Sequence, residues 1–159
     1  MKRMTSALLL MLLLLTACAA PSPQQSSPYQ LYFLSSLDHG PAILTQPYTD
    51  SDHPTPEQLI QSLLSGPRED GLLHPFPQGV TLRRLTRNDD HITVDFSEQY
   101  GGLSDISLTL ADYCVVLTLC QLEGVDSVEI TVSGKPLSYR SHQILTREET
   151  LSAIEHPED

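Results

Sequence analysis

Polar and apolar positions alternate with two different periods along this chain, and the changes of period mark out its elements. Residues 29–37 (YQLYFLSSL) gather aromatic and branched side chains over a strand-like length and run into Asp38-His39-Gly40-Pro41, a strong turn signal. Residues 42–48 predict a short edge strand weakened by Pro47, followed by a polar loop over 49–55. Pro56 then fits the first position of a helix with Thr55 as its N-cap, and Leu59, Ile60, Leu63 and Leu64 form one apolar stripe that stops at Gly66-Pro67. Residues 80–87 and 91–96 predict two strands joined by Asn88-Asp89-Asp90. In the second strand Ile92, Val94 and Phe96 point one way and His91, Thr93 and Asp95 the other, as in a sheet with one buried face. The first strand alternates less well, because Leu85 does not share the parity of Val80 and Leu82, and a bulge would account for this.

The apolar stretch 106–122 predicts a second helix, with Ile106, Leu110, Tyr113, Leu117 and Cys120 near helical spacing. Its other faces carry Leu108, Val115, Val116 and Leu119, so burial on more than one side is expected. Gly124 ends it, and residues 127–133 give a last strand with Val128, Ile130 and Val132 inward before Gly134-Lys135-Pro136 turns. The order β-α-β-β-α-β predicts an α+β fold with two helices on one face of a mostly antiparallel sheet. Residues 29–139 make the expected domain, and 140–159 are a polar tail that admits a short helix.

The amino terminus follows another logic. Lys2 and Arg3 precede nine uninterrupted apolar residues, Ala7 to Leu15, which close on Leu15-Thr16-Ala17-Cys18. A spanning helix needs about 20 apolar residues, so this run is an export signal rather than an anchor, and the small residues before Cys18 suit a peptidase. The segment resembles a bacterial lipoprotein signal, which implies removal of residues 1–17 and acylation of Cys18. Residues 18–28 (CAAPSPQQSSP) offer nothing to bury and read as a flexible tether. The expected location is extracytoplasmic, lipid-anchored to the bacterial membrane, with the lipid on Cys18 as the membrane contact.

Charge narrows the partners. The chain carries 9 basic and 20 acidic residues, a formal net charge of −11, and loss of the signal removes two of the basic ones. Such a body is a poor ligand for nucleic acid, whose binding rests on basic residues displacing counterions.

Between residues 55 and 138 the chain is similar to the GerMN domain, a sporulation and spore-germination module. Leu63-Leu64-Ser65-Gly66-Pro67, Pro77-Gln78-Gly79-Val80 and Ile92-Thr93-Val94-Asp95-Phe96-Ser97 resemble its first half. Leu117-Thr118-Leu119, Gly124-Val125, Val128-Glu129-Ile130 and Gly134-Lys135-Pro136 resemble its second. The resemblance implies an extracytoplasmic, commonly lipoprotein-borne module without established catalytic residues.

Enzyme chemistry is not signalled: there is no G-x-S-x-G elbow, H-E-x-x-H or P-loop, so neither catalytic residues nor cofactors are assigned. Asp95 is expected on the outward face and Ser97 at the strand end, where either could cap backbone. The six histidines are scattered beside turns and predict no metal site; Asp50, Asp52 and His53 are at most a weak cation cluster. Cys114 and Cys120, six residues apart on a helix, are separated by a rise of about 9 Å, too far for a disulfide. Arg83, Arg84 and Arg87 form a basic edge on an acidic protein, with 83 and 87 on one face of a strand and 84 on the other, suited to an acidic envelope partner or to simple solvation. Three function classes follow: a tethered interaction module, a lipoprotein binding a wall fragment or small solute, and, least supported, an envelope hydrolase.

Overall fold

A computed structural model describes residues 28–37, 42–140 and 142–155. The export signal, Cys18, the tether up to residue 27 and the turn at 38–41 lie outside the described residues. Strands β1 (Gln30–Ser35) and β2 (Ile43–Pro47) lead into helix α1 (Pro56–Leu64) and a two-residue strand β3 (Leu72–Leu73). Then come β4 (Leu82–Asn88), β5 (His91–Phe96), a 3-10 turn (Glu98–Gly102), helix α2 (Asp105–Leu119), β6 (Ser127–Val132), β7 (Ile144–Thr146) and helix α3 (Arg147–Glu155).

The fold is α+β, and the expected β-α-β-β-α-β order is present together with the edge strand expected within 42–48 (β2) and a short helix in the tail (α3), while the short strands β3 and β7 are additions to it. The strands are divided between two sheets, β2-β1-β3 and β4-β5-β6-β7, where a single sheet was expected. The division arises because β1 is occupied on both sides: β2 pairs along its length, β3 pairs at Leu34 and Ser35, and a side chain completes the rest of that edge. Gln121 accepts from the Gln30 amide at 2.7 Å and donates to the Gln30 carbonyl at 2.6 Å, while Thr118 Oγ1 accepts from the Tyr32 amide at 3.3 Å. The carboxyl-terminal end of α2 thus stands where another strand would pair.

In the larger sheet β4 and β5 form an antiparallel hairpin, β5 and β6 run parallel, and β7 returns antiparallel on β6. Parallel neighbours need a crossover, and the 3-10 turn with α2 supplies it. The register aligns Ile92 with Val128, Val94 with Ile130 and Phe96 with Val132, so six apolar side chains bury one face together. Helix α1 begins with the expected Pro56 and a reciprocal Thr55–Gln58 capping box, and buries Leu59, Ile60 and Leu63. It ends at Gly66, whose φ of +86° suits glycine and whose missing Cβ would stand 2.9 Å from the His74 ring. Helix α2 is apolar all round and, like α1, contacts strands of both sheets. Burial of Leu108, Val115, Val116 and Leu119 alongside Leu117 and Cys120 is the all-round burial its sequence predicts.

Phe96 and Tyr100 stack with ring centroids 4.7 Å apart and planes 3° from parallel, and Phe76 tilts against both. This cluster fixes the exit of β5 and the entry to α2.

Candidate functional site

The face of the larger sheet opposite the core carries Arg83, Arg84 and Asp95. It is shaped by one irregularity: the β4–β5 register slips between Leu82, opposite Phe96, and Arg84, opposite Asp95. This is the bulge that the broken alternation predicts. Directly paired residues share a face, so Arg84 lies with Asp95 on the outer face, whereas Arg87, opposite Ile92, lies on the inner one. The extra residue, Arg83, reaches the outer side and donates to Asp95 Oδ2 at 3.0 Å. The alternation expected for the three arginines is therefore corrected. Arg83 and Arg84 serve the same face and Arg87 is apart, because a bulge shifts side-chain parity by one.

The three also differ in how far they are committed. Arg87 donates to the backbone carbonyls of Asp89 at 3.0 Å, Glu123 at 2.8 Å and Gly124 at 2.9 Å, tying the hairpin to the loop after α2. Arg83 is half exposed and paired. The exposed guanidinium of Arg84 has no hydrogen-bond or ion-pair partner among the described residues.

Asp95 faces outward in parity as expected, yet it is only 9% exposed. Besides Arg83 it accepts from Thr131 Oγ1 at 2.9 Å and from the Gly134 amide at 2.7 Å. The backbone it caps belongs to the turn after β6, not to the loop following its own strand. Ser97 likewise accepts from the Thr81 amide at 3.0 Å, on the neighbouring strand's approach. Around Asp95 lies an open groove of about 510 Å³, walled by Arg83, Arg84, Thr86, Asn88, Thr93 and the Ser133-Gly134 turn.

A second hollow, also about 510 Å³, lies between the Gly101–Ser104 segment, the start of α2 and Tyr139-Arg140. At its base Arg140 and Asp112 form a buried ion pair, with Nε to Oδ2 at 2.7 Å and Nη2 to Oδ1 at 2.9 Å. Tyr100 donates to Asp112 Oδ1 at 2.7 Å, and Arg140 also donates to the Ile130 carbonyl at 2.6 Å. Burial lifts the Asp112 carboxyl above its ordinary value, opposed by Arg140 and the Tyr100 hydroxyl, and burial beside Asp112 pushes the Tyr100 phenol well up. Sequence reasoning missed this trio. The available signal was Asp112 itself, an acid inside an apolar helix, and Arg140 falls just past the expected domain boundary at 139.

Other candidate groups are engaged elsewhere. Arg68 grips Asp50 with two hydrogen bonds of 3.1 Å and holds its carboxyl below the usual range. His74 Nε2 donates to the Leu64 carbonyl at 2.9 Å while Nδ1 accepts from the Phe76 amide at 3.1 Å, a structural cap. Cys114 and Cys120 are free and buried; burial pushes the Cys120 thiol to about 11 and the Cys114 thiol further. Among the described residues no group of three or more His, Cys, Asp and Glu side chains is placed to hold a metal ion, and no helix is long and apolar enough to cross a membrane.

No curated protein matches the chain. Solved structures do. The first GerMN domain of the sporulation protein GerM from Bacillus subtilis aligns over 76% of this chain and 97% of its own, with 20% identity and a TM-score of 0.61. The tandem GerMN domains of the same protein align with the same score and identity, and the chain spans 46% of that longer structure. A candidate lipoprotein from Clostridium perfringens aligns over 76% of this chain and 87% of its own, with 22% identity and a TM-score of 0.53. At these identities the likeness shows a common fold. Residues 30–138 match the family described as Germane, sporulation and spore germination, so the chain belongs to the Germane family.

Proposed function

We propose that this protein is a membrane-tethered, extracytoplasmic interaction module that supports an envelope complex linked to sporulation or spore germination, without catalytic activity of its own. The family match over residues 30–138 carries the reading. The export signal ending at Cys18 supports the tether, since acyl chains bind at about 0.8 kcal/mol per buried methylene and several together give persistent attachment. The candidate lipoprotein of related fold agrees with that placement. Docking is assigned to the arginine-bearing outer face of the larger sheet, where polar side chains wall an open groove and Arg84 has no partner among the described residues. The buried Asp112–Arg140 pair is read as structural, because each charge is held by the other and by neighbouring hydrogen bonds.

The test has two parts. Cys18→Ser should release soluble protein or leave uncleaved precursor on fractionation, and full membrane retention of a processed Cys18→Ser chain would contradict the lipid anchor. Cross-linking in sporulating cells followed by recovery of the solubilised lipoprotein should yield an envelope protein partner. Recovery of the protein alone under conditions that capture known membrane complexes would count against the assembly role.

A further inference from the structure

We infer that the outer groove is a recognition site for an extended, acidic peptide segment of the partner, with Arg84 as the principal carboxylate ligand and Arg83 as a second one that can be shared with Asp95. The inference deepens the docking reading above and rests on it. Three observations carry it. First, the bulge brings two arginines side by side onto one face, on a chain with 20 acidic and 9 basic residues, and Arg84 has no intramolecular partner among the described residues. A guanidinium fork is matched to a carboxylate, and one left without a partner among the described residues beside an open groove is a basic point on a chain of net negative charge.

Second, Asp95 does not depend on Arg83 alone. With Thr131 Oγ1 at 2.9 Å and the Gly134 amide at 2.7 Å it keeps two donors if Arg83 turns toward a ligand. Arg83, with its side chain 48% exposed against 13% for Asp95, is the solvent-facing member of that pair. A buried carboxylate left with no donor would make such sharing costly; here two remain.

Third, the groove is elongated. From Arg84 to Asn88 strand β4 runs about 13 Å at roughly 3.3 Å per residue, with Thr86 and Asn88 following Arg84 at strand spacing and Thr93 beside them. Their side-chain polar groups have no hydrogen bonds to other described residues. A lone anion would use only the arginine end, whereas an extended peptide can place a carboxylate there and its backbone amides along the threonine and asparagine row.

The experiment uses the full-length lipoprotein in detergent and a fluorescein-labelled peptide of four Glu-Thr repeats, read by anisotropy, with the Gln-Thr peptide and inorganic phosphate as comparisons. The acidic peptide should bind, weakening between about 50 and 300 mM salt as screening sets in. Arg84→Gln should weaken binding by about tenfold and Arg83→Gln by less, while Arg87→Gln leaves it unaltered. Absence of binding, equal binding of the Gln-Thr peptide, or unchanged affinity with Arg84→Gln overturns the site. Phosphate competing as well as the Glu-Thr peptide reduces it to a bare anion site and overturns the peptide assignment. Should cross-linked complexes form equally with Arg84→Gln in cells, this site falls while the tethered-module reading stands; no complex even from the unaltered protein removes both.

Discussion

Arg140 reaches back to Asp112 across 28 residues and meets both oxygens of its carboxylate, at 2.7 and 2.9 Å, with the two side chains only 5% and 4% exposed. The contact fastens the segment leading from β6 to β7 against helix α2, and the Ile130 carbonyl held by the same guanidinium extends the tie into β6. Taking two charges out of water costs several kcal/mol each, so the pair stabilises the fold chiefly against its own half-removal.

Arg140→Met should therefore destabilise the domain by about 3–5 kcal/mol, since it strands a buried carboxylate, whereas Asp112→Leu combined with Arg140→Met should cost much less than the sum of the single changes. Urea denaturation of the four chains of the cycle measures this. Additive losses would show that the two side chains act independently.

Phe96→Ala should cost about 3–5 kcal/mol through lost burial and a cavity between the sheet and the entry to α2. Phe96 is fully buried and stacked on Tyr100, with Phe76 tilted against both rings. A loss under about 1 kcal/mol would mean that the cluster collapses onto the gap.

The three arginines should separate in stability. Arg84→Gln is expected to stay within about 0.5 kcal/mol of the parent, because its guanidinium is exposed and has no partner among the described residues. Arg87→Gln should lose about 1 kcal/mol with its hydrogen bonds to the Asp89, Glu123 and Gly124 carbonyls. Thermal melting of each variant decides it, and indistinguishable melting of all three would contradict the different commitments described.

Stability should fall as the solution becomes alkaline, in part through the thiols. Burial raises both: the folded chain holds the Cys120 proton to about pH 11 and the Cys114 proton beyond that. The unfolded chain releases them near the ordinary thiol value of about 8.5. The folded state binds more protons above that value, so the contribution is complete below it and declines as pH rises toward 11. Cys120→Ala should flatten the slope of stability against pH in that window relative to the parent. Equal slopes would place the alkaline loss elsewhere, and rapid alkylation of Cys114 or Cys120 in the native chain at neutral pH would contradict the burial itself.

How much could be read from the chain depended on whether the signal was local. The Thr55-Pro56 start and Gly66 stop of α1, the alternation of β5 and β6, the all-round apolar α2 and the bulge in β4 each follow from a few neighbouring residues, because periodicity and capping report directly on faces and ends. Pairing was not local. That β1 joins another sheet depends on Gln121 and Thr118 meeting its edge from the far end of a helix, and a three-residue strand at Ile144–Thr146 is recognisable only once β6 is beside it. The arginines show the limit most clearly. Sequence spacing alone put Arg83 with Arg87, but the bulge paired Arg84 with Asp95 and turned Arg87 onto the loop after α2, since one inserted residue reverses the parity of everything on one side of it. The sequence by itself determined much of the apolar core and where most elements lie. Only the tertiary structure decided that Asp112 has Arg140 to pair with and that Arg84 has no partner among the described residues, because both depend on contacts between segments far apart along the chain.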